Sequence, residues 1–145
     1  MLIYSVNKFS VQNHLLAESP IWCGVRNSFF WLDILNKTIY EKRFDSQSID
    51  FDNTWEIEQT PTSLCLDKYS ESKLWVLTES FFGLFNLFTG LFDQKITISL
   101  PKTHRTNDGF VSPDGFMFFG TMEWAPKIGS GSLYGISPEG ILHNY

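Results

Sequence analysis

Short apolar stretches alternate with polar turns along the whole chain, and three of these stretches resemble one another. Each contains a large aromatic residue within a strand-like segment: Trp31 in residues 29–34, Trp75 in residues 73–78 and Phe119 in residues 116–121. Both intervals between these aromatic residues are 44 positions long, and Trp22, Leu66 and Phe110 precede them by nine positions each. A fixed period of this length is typical of a repeat architecture.

Each repeat has the pattern of several short β-strands separated by turn residues. First strands are predicted over 19–23, 62–66 and 109–112, second strands contain the aromatic residues, and third strands cover 38–42, 83–87 and 132–136. Weaker fourth strands are predicted over 54–57 and 94–98, whereas the third repeat runs out of chain at Tyr145. Strands at this spacing, with no sustained helical periodicity, indicate an all-β protein.

Four strands in about 40–45 residues make one blade of a β-propeller. The sequence therefore predicts a single partial propeller domain over residues 1–145, with repeats at about 17–60, 61–104 and 105–145. Residues 2–6 are a candidate additional outer strand. Closed propellers have at least four blades, so about three blades are half of a six-bladed ring. Open sheet faces favour association, which leaves two interpretations: part of a longer chain, or two copies that close a ring.

Composition narrows the class of protein. The formal net charge of −5, with 19% charged residues, argues against a nucleic-acid partner. The longest apolar run, 81–91, is interrupted by Gly83, Asn86 and Gly90 and falls short of the ~20 residues of a membrane span. No basic segment followed by a long apolar core opens the chain, so we predict a cytoplasmic protein without a signal peptide.

Two cysteines carry no metal-binding spacing. Cys23 and Cys65 match no zinc motif, and we predict that both are reduced thiols used as small apolar residues.

Polar residues gather at one point of the repeat. Arg105, Asn107 and Asp108 stand just before a short apolar strand. Glu18 shifted by one repeat of 44 residues reaches Thr62, and shifted by two repeats it reaches Thr106, between Arg105 and Asn107. We therefore expect these side chains at one mouth of a central channel. A carboxylate with amide and hydroxyl oxygens suits a hard cation, and the arginine fork suits a carboxylate or the vicinal hydroxyls of a sugar acid. The alternatives are a solvated Glu18, a surface Arg105 or one paired with Asp108, and a turn formed by Asn107 and Asp108.

Two groups of motifs resemble the N-terminal half of the SMP-30/gluconolactonase/LRE-like family. The first runs from Leu-Ala-Glu-Ser-Pro-Ile-Trp at 16–22 to Trp-Leu-Asp-Ile at 31–34. The second comprises Arg-Thr-Asn-Asp-Gly at 105–109, Ser-Pro-Asp-Gly at 112–115, Gly-Thr-Met at 120–122 and Gly-Ser-Leu-Tyr at 131–134. The motifs span nearly the whole chain in the order that the family has.

The resemblance implies a six-bladed propeller that hydrolyses sugar lactones or related esters with one divalent metal ion, Ca²⁺, Zn²⁺, Mg²⁺ or Mn²⁺, in its channel. It implies that Glu18 is a metal ligand and that Arg105 and Asn107 contact a sugar lactone or sugar acid. The family's other two protein ligands lie in later blades, so the site in this chain would be incomplete. The alternative is a non-catalytic truncated propeller, or a ligand-binding half-ring that forms a homodimer.

The remaining candidates have plainer interpretations. We expect Glu123 to be solvated and His104 to be an ordinary loop residue, with Trp124 either on the surface or lining a sugar pocket. Asp33 is expected to form hydrogen bonds between blades, and no histidine pair has metal-ligand spacing. The Gly-x-Ser-x-Gly motif of serine hydrolases is missing from the sequence.

Overall fold

A computed structural model describes Ser5, Phe9 and residues 11–145 of the chain. The candidate outer strand at residues 2–6 lies outside the described residues, except for Ser5.

The described residues form twelve β-strands in three four-stranded antiparallel sheets, which confirms the predicted all-β fold. Each sheet is one blade, and its strands follow chain order from the innermost to the outermost. Blade 1 contains β1 (Ala17–Cys23), β2 (Ser28–Asp33), β3 (Thr38–Arg43) and β4 (Asn53–Glu56). Blade 2 contains β5 (Pro61–Leu66), β6 (Lys73–Thr78), β7 (Phe81–Asn86) and β8 (Phe92–Thr97). Blade 3 contains β9 (His104–Val111), β10 (Met117–Glu123), β11 (Leu133–Ile136) and β12 (Leu142–Asn144). No helix of this part of the chain is long and apolar enough to cross a membrane, and the cytoplasmic location stays a prediction.

The blades pack face to face, and the apolar core lies in the two layers between them. The layer between blades 1 and 2 includes Phe30, Ile39 and Phe85, all fully buried. The layer between blades 2 and 3 includes Leu77 and Phe119. Because the innermost strands β1, β5 and β9 are neighbours in space, the three blades fan out from one side of a central channel.

The three recurring aromatic residues do not occupy equivalent faces. Phe119 faces back toward blade 2, and Trp31 lies on the face of blade 1 that points away from blade 2. Trp75, in contrast, is only half-buried and lies on the face of blade 2 that packs against blade 3. The residue of blade 2 that faces the same way as Trp31 and Phe119 is Val76. Structurally equivalent positions are therefore 45 residues apart from blade 1 to blade 2 and 43 residues apart from blade 2 to blade 3. A shift of one residue reverses the face of a strand. Trp75 therefore lies on the opposite face of its blade, although it stands 44 residues from both Trp31 and Phe119.

Blade 3 has a fourth strand that the sequence analysis did not predict. Leu142 pairs with Ile136 and Asn144 pairs with Tyr134. The turn before it is closed by the hydrogen bond from the Gly140 N–H to the Ser137 carbonyl, and Gly140 has a φ of 85°. All three residues of β12 are exposed, so no apolar alternation marks this strand in the sequence. Its order comes from main-chain pairing instead.

Candidate functional site

Every innermost strand has an irregularity in its pairing near the same end of the channel. The register shifts between Glu18 and Ile21 in β1, between Pro61 and Ser63 in β5, and opposite the segment from Phe119 to Thr121 in β9. Bulges of this kind change the direction of side chains and are common beside functional sites. The alternation of apolar and polar residues in the sequence did not reveal these bulges. β9 also begins at His104, five residues before the predicted start at residue 109.

Hydroxyl side chains connect the three innermost strands near this end of the channel, which we call the mouth. The Thr62 and Thr106 hydroxyl oxygens are 2.6 Å apart and connect blade 2 to blade 3. Ser19 and Ser63 hydroxyls are 3.4 Å apart, and the Leu64 N–H donates to Ser19 Oγ over 2.7 Å. The Ser63 hydroxyl also donates to the Gly109 carbonyl. These contacts fix the strands that carry the polar residues of the mouth.

Arg105 is a buried, hydrogen-bonded side chain at the mouth. Only 8% of it is exposed, and its Nη1 donates to the Thr106 carbonyl over 2.8 Å and to Asn107 Oδ1 over 3.2 Å. Burial lowers the pKa of Arg105, whereas the nearby negative charge of Glu18 raises it. Glu18, Arg105 and Asn107 all lie beside the register shifts at this end of the channel, and their roles stay predictions.

Several polar groups at the mouth remain available to a ligand. Among the contacts between described residues, hydrogen bonds of the Arg105 guanidinium use Nη1 only, and Asn107 uses only Oδ1. Glu18 is exposed. Asp108 is also exposed, and its Oδ1 accepts the N–H of Gly109 over 2.8 Å. Asn107 and Asp108 lie within β9, beside its register shift, so the turn expected at this point is not present. The mouth thus offers a guanidinium edge, an amide and a carboxylate.

Glu18 by itself is not a metal site. Within the described residues, no group of three or more histidine, cysteine, aspartate or glutamate side chains is placed to hold a metal ion. Calcium takes six to eight oxygen ligands. Glu18 therefore fits one ligand position, and the described residues do not complete the coordination of a divalent ion.

The loop between β10 and β11 lies over Arg105. Its base is closed because Thr121 and Ser132 exchange main-chain and side-chain hydrogen bonds. Contrary to expectation, the Glu123 side chain is only 15% exposed, and it lies 3.5 Å from Lys127 Nζ and 4.0 Å from His104 Nε2. His104 is also more than a loop residue, because it is paired in β9 and its Nε2 is 3.1 Å from the Ser130 carbonyl.

Asp33 does not form hydrogen bonds between blades, which corrects the sequence prediction. Its carboxylate accepts the N–H groups of Leu15 and Leu16, at 2.9 and 3.1 Å, and the side-chain amide of Asn36 at 2.8 Å. The end of β2 meets the segment just before β1, and this proximity brings the donors to Asp33. Burial acts to raise the pKa of Asp33, but these hydrogen bonds outweigh it and the pKa is lowered.

The cysteines and His14 belong to the packed interior. Cys23 and Cys65 are buried free thiols, as predicted, and burial raises the pKa of Cys65 to about 11. His14 packs against Trp31 and Tyr40 and accepts a hydrogen bond from the Trp31 indole N–H.

Three four-stranded blades around one side of a channel, with polar groups at its mouth, define part of a β-propeller. The model of the SMP-30/gluconolactonase/LRE-like region matches residues 16–145, and the chain belongs to that family.

Solved structures agree with this fold. A regucalcin described as a calcium-binding protein, from Agrobacterium tumefaciens, is 23% identical with a TM-score of 0.81 over 92% of this chain and 43% of its own. A luciferin-regenerating enzyme is 16% identical with a TM-score of 0.81, over 93% of this chain and 46% of its own. A gluconolactonase from Xanthomonas campestris is 16% identical with a TM-score of 0.66, over 88% and 46%. The chain thus spans less than half the length of these structures.

Proposed function

We propose that this chain contributes the sugar-binding half of a metal-dependent lactonase site, acting on sugar lactones or related esters. The observation that carries the proposal is the mouth itself: Arg105 and Asn107 are held together by a hydrogen bond of 3.2 Å beside Glu18. The family membership supports the reaction class. The gluconolactonase activity named for the Xanthomonas campestris relative supports sugar lactones as substrates.

Arg105 and Asn107 would bind and orient the sugar. The free edge of the guanidinium can donate two parallel hydrogen bonds to a carboxylate or to vicinal hydroxyls. Because Nη1 is already held by Thr106 and Asn107, the direction of that edge is fixed before the ligand arrives. Such preorganisation lowers the entropic cost of placing a substrate for reaction.

Glu18 would supply one oxygen ligand to a divalent cation, Ca²⁺, Zn²⁺, Mg²⁺ or Mn²⁺. In hydrolytic sites such a cation polarises a carbonyl group and acidifies a bound water. The calcium-binding description of the Agrobacterium relative supports a bound cation. The other ligands would have to come from outside the described residues of this chain.

One experiment tests both roles. The 145-residue chain is tested for hydrolysis of D-glucono-1,5-lactone, and for a rise in melting temperature with added Ca²⁺ or Zn²⁺. We expect Glu18→Ala to abolish the metal-dependent rise, and Arg105→Gln to keep that rise while lowering any hydrolysis that the wild-type chain shows. Glu56→Ala, at an exposed position in the outermost strand β4, is the matched control. A wild-type metal response in Glu18→Ala would show that Glu18 is not a ligand.

The second candidate is a non-catalytic half-ring that forms a homodimer. The observation in its favour is the aromatic face of blade 3, where Phe118 stacks on Phe110 and Phe116 at 5.7 and 5.8 Å and Tyr145 lies 6.0 Å away. Phe110 is 60% exposed and Tyr145 is 65% exposed. Light scattering on the sample used for the lactone assay separates the two candidates. A defined dimer that is inactive with metal supports the half-ring.

A further inference from the structure

Trp124 is a fixed residue although it lies in a long loop. Its N–H donates to the Thr103 carbonyl over 2.9 Å, which ties the loop to the residue just before β9. The neighbouring Glu123 is held from two sides by His104 and Lys127. These contacts anchor the main chain at Trp124 to the segment before β9.

The indole and the guanidinium of Arg105 form one composite surface. The guanidinium carbon of Arg105 lies 5.3 Å from the centre of the Trp124 ring, a cation–π distance. Arg105 is 8% exposed, whereas Trp124 is 47% exposed. A ligand paired with the free edge of the guanidinium would therefore lie alongside the open part of the indole.

We infer that Trp124 is a specificity-determining residue of this site, a platform for the apolar face of a sugar ring whose polar groups pair with Arg105. The inference rests on the proposed function. Sugars carry C–H groups on one face and hydroxyls at the edge, and this surface offers an aromatic plane beside a hydrogen-bonding fork. A small acid without a sugar backbone would engage Arg105 but make little contact with Trp124.

The test measures binding of D-gluconate and of acetate to the 145-residue chain by ligand-observed NMR titration. Trp124→Ala is expected to weaken gluconate binding about tenfold, the change that 1.4 kcal/mol produces, and to leave acetate binding unchanged. Trp124→Phe keeps an aromatic ring over Arg105 and should restore most of the affinity. Trp22→Ala is the matched control, because Trp22 has a similar exposure of 42% and lies at the end of β1 opposite to Glu18.

Arg105→Gln separates this inference from the proposed function. If Arg105→Gln abolishes gluconate binding and Trp124→Ala leaves it intact, the sugar-acid site stands and the role of Trp124 is refuted. Equal losses in Trp124→Ala and Trp124→Phe would also refute the platform, because an aromatic face alone would then be insufficient. If wild-type chain binds no gluconate, the proposed function fails and the inference fails with it.

Discussion

The hydroxyl pair between Thr62 and Thr106 allows a quantitative test of how blades 2 and 3 are joined. Both residues are at most 1% exposed. The Thr106 hydroxyl lies 2.7 Å from the Thr78 carbonyl, so its proton goes there and its oxygen accepts from Thr62 over 2.6 Å. Thr62 has a second possible acceptor, the Leu77 carbonyl at 3.3 Å. Replacement by valine keeps the shape of each side chain and removes only the hydroxyl.

The two substitutions should differ in cost. Thr106→Val removes the only side-chain donor to the buried Thr78 carbonyl among the described contacts, so about 2 kcal/mol of the free energy of unfolding should be lost. Thr62→Val removes one donor from an oxygen that still makes its own hydrogen bond, so about 1 kcal/mol is expected. The double variant should lose less than the combined single effects, by about 1 kcal/mol, because the shared hydrogen bond is counted in both.

Urea unfolding followed by tryptophan fluorescence measures these changes. Thr54→Val is the control, since Thr54 is exposed in β4 and its substitution should change the free energy of unfolding by less than about 0.5 kcal/mol. Strictly additive effects in the double variant would refute the shared hydrogen bond between Thr62 and Thr106. A larger loss in Thr62→Val than in Thr106→Val would refute its proposed direction.

Two further predictions concern buried carboxylates in blade 1. Glu41 is fully buried and accepts Arg26 through both carboxylate oxygens, at 2.9 and 3.1 Å, so Glu41→Ala should cost about 3 kcal/mol in urea unfolding. The paired change of Arg26 and Glu41 to methionine should recover most of that loss, and failure to recover would contradict the ion-pair explanation. The pKa of Asp33 is lowered from 3.8, so its stabilisation is complete above the unfolded-state pKa and is lost as pH falls through the folded-state pKa. Asp33→Asn should therefore flatten the decline in stability below about pH 4. A melting temperature that falls with acid as steeply in Asp33→Asn as in the wild-type chain would contradict this.

The strand pattern was predictable because alternation and turn residues act locally. Segments such as β2 and β6 were located closely, since each is a short, largely buried apolar run bounded by turn residues. β12 was missed because its three residues are exposed and owe their order to pairing with β11. The 44-residue period does not predict which face Trp75 occupies, because the equivalent positions Trp31, Val76 and Phe119 are 45 and then 43 residues apart.

The candidate site was predictable in position and not in detail. The repeat predicts that Glu18 and Arg105 lie at the same end of the innermost strands, and both lie beside the register shifts of β1 and β9. The serine contacts had a visible signal, since Ser19 and Ser63 are 44 residues apart, but a hydroxyl spacing alone does not predict a contact. The stacking of Trp124 on Arg105 depends on how a long loop folds back, and no local pattern encodes that distance.

The two ends of the half-ring are chemically unlike, and this difference constrains how copies can assemble. The outer face of blade 1 is covered by the segment before β1: Phe9 lies 6.4 Å from Trp31, and His14 packs beside it. The aromatic face of blade 3 has no such cover among the described residues. Joining two blade 3 faces by a two-fold axis uses the same patch twice and stops at two copies. Joining the blade 3 face of one copy to the blade 1 face of another would have to displace Phe9 and His14, so the two faces are not equivalent surfaces.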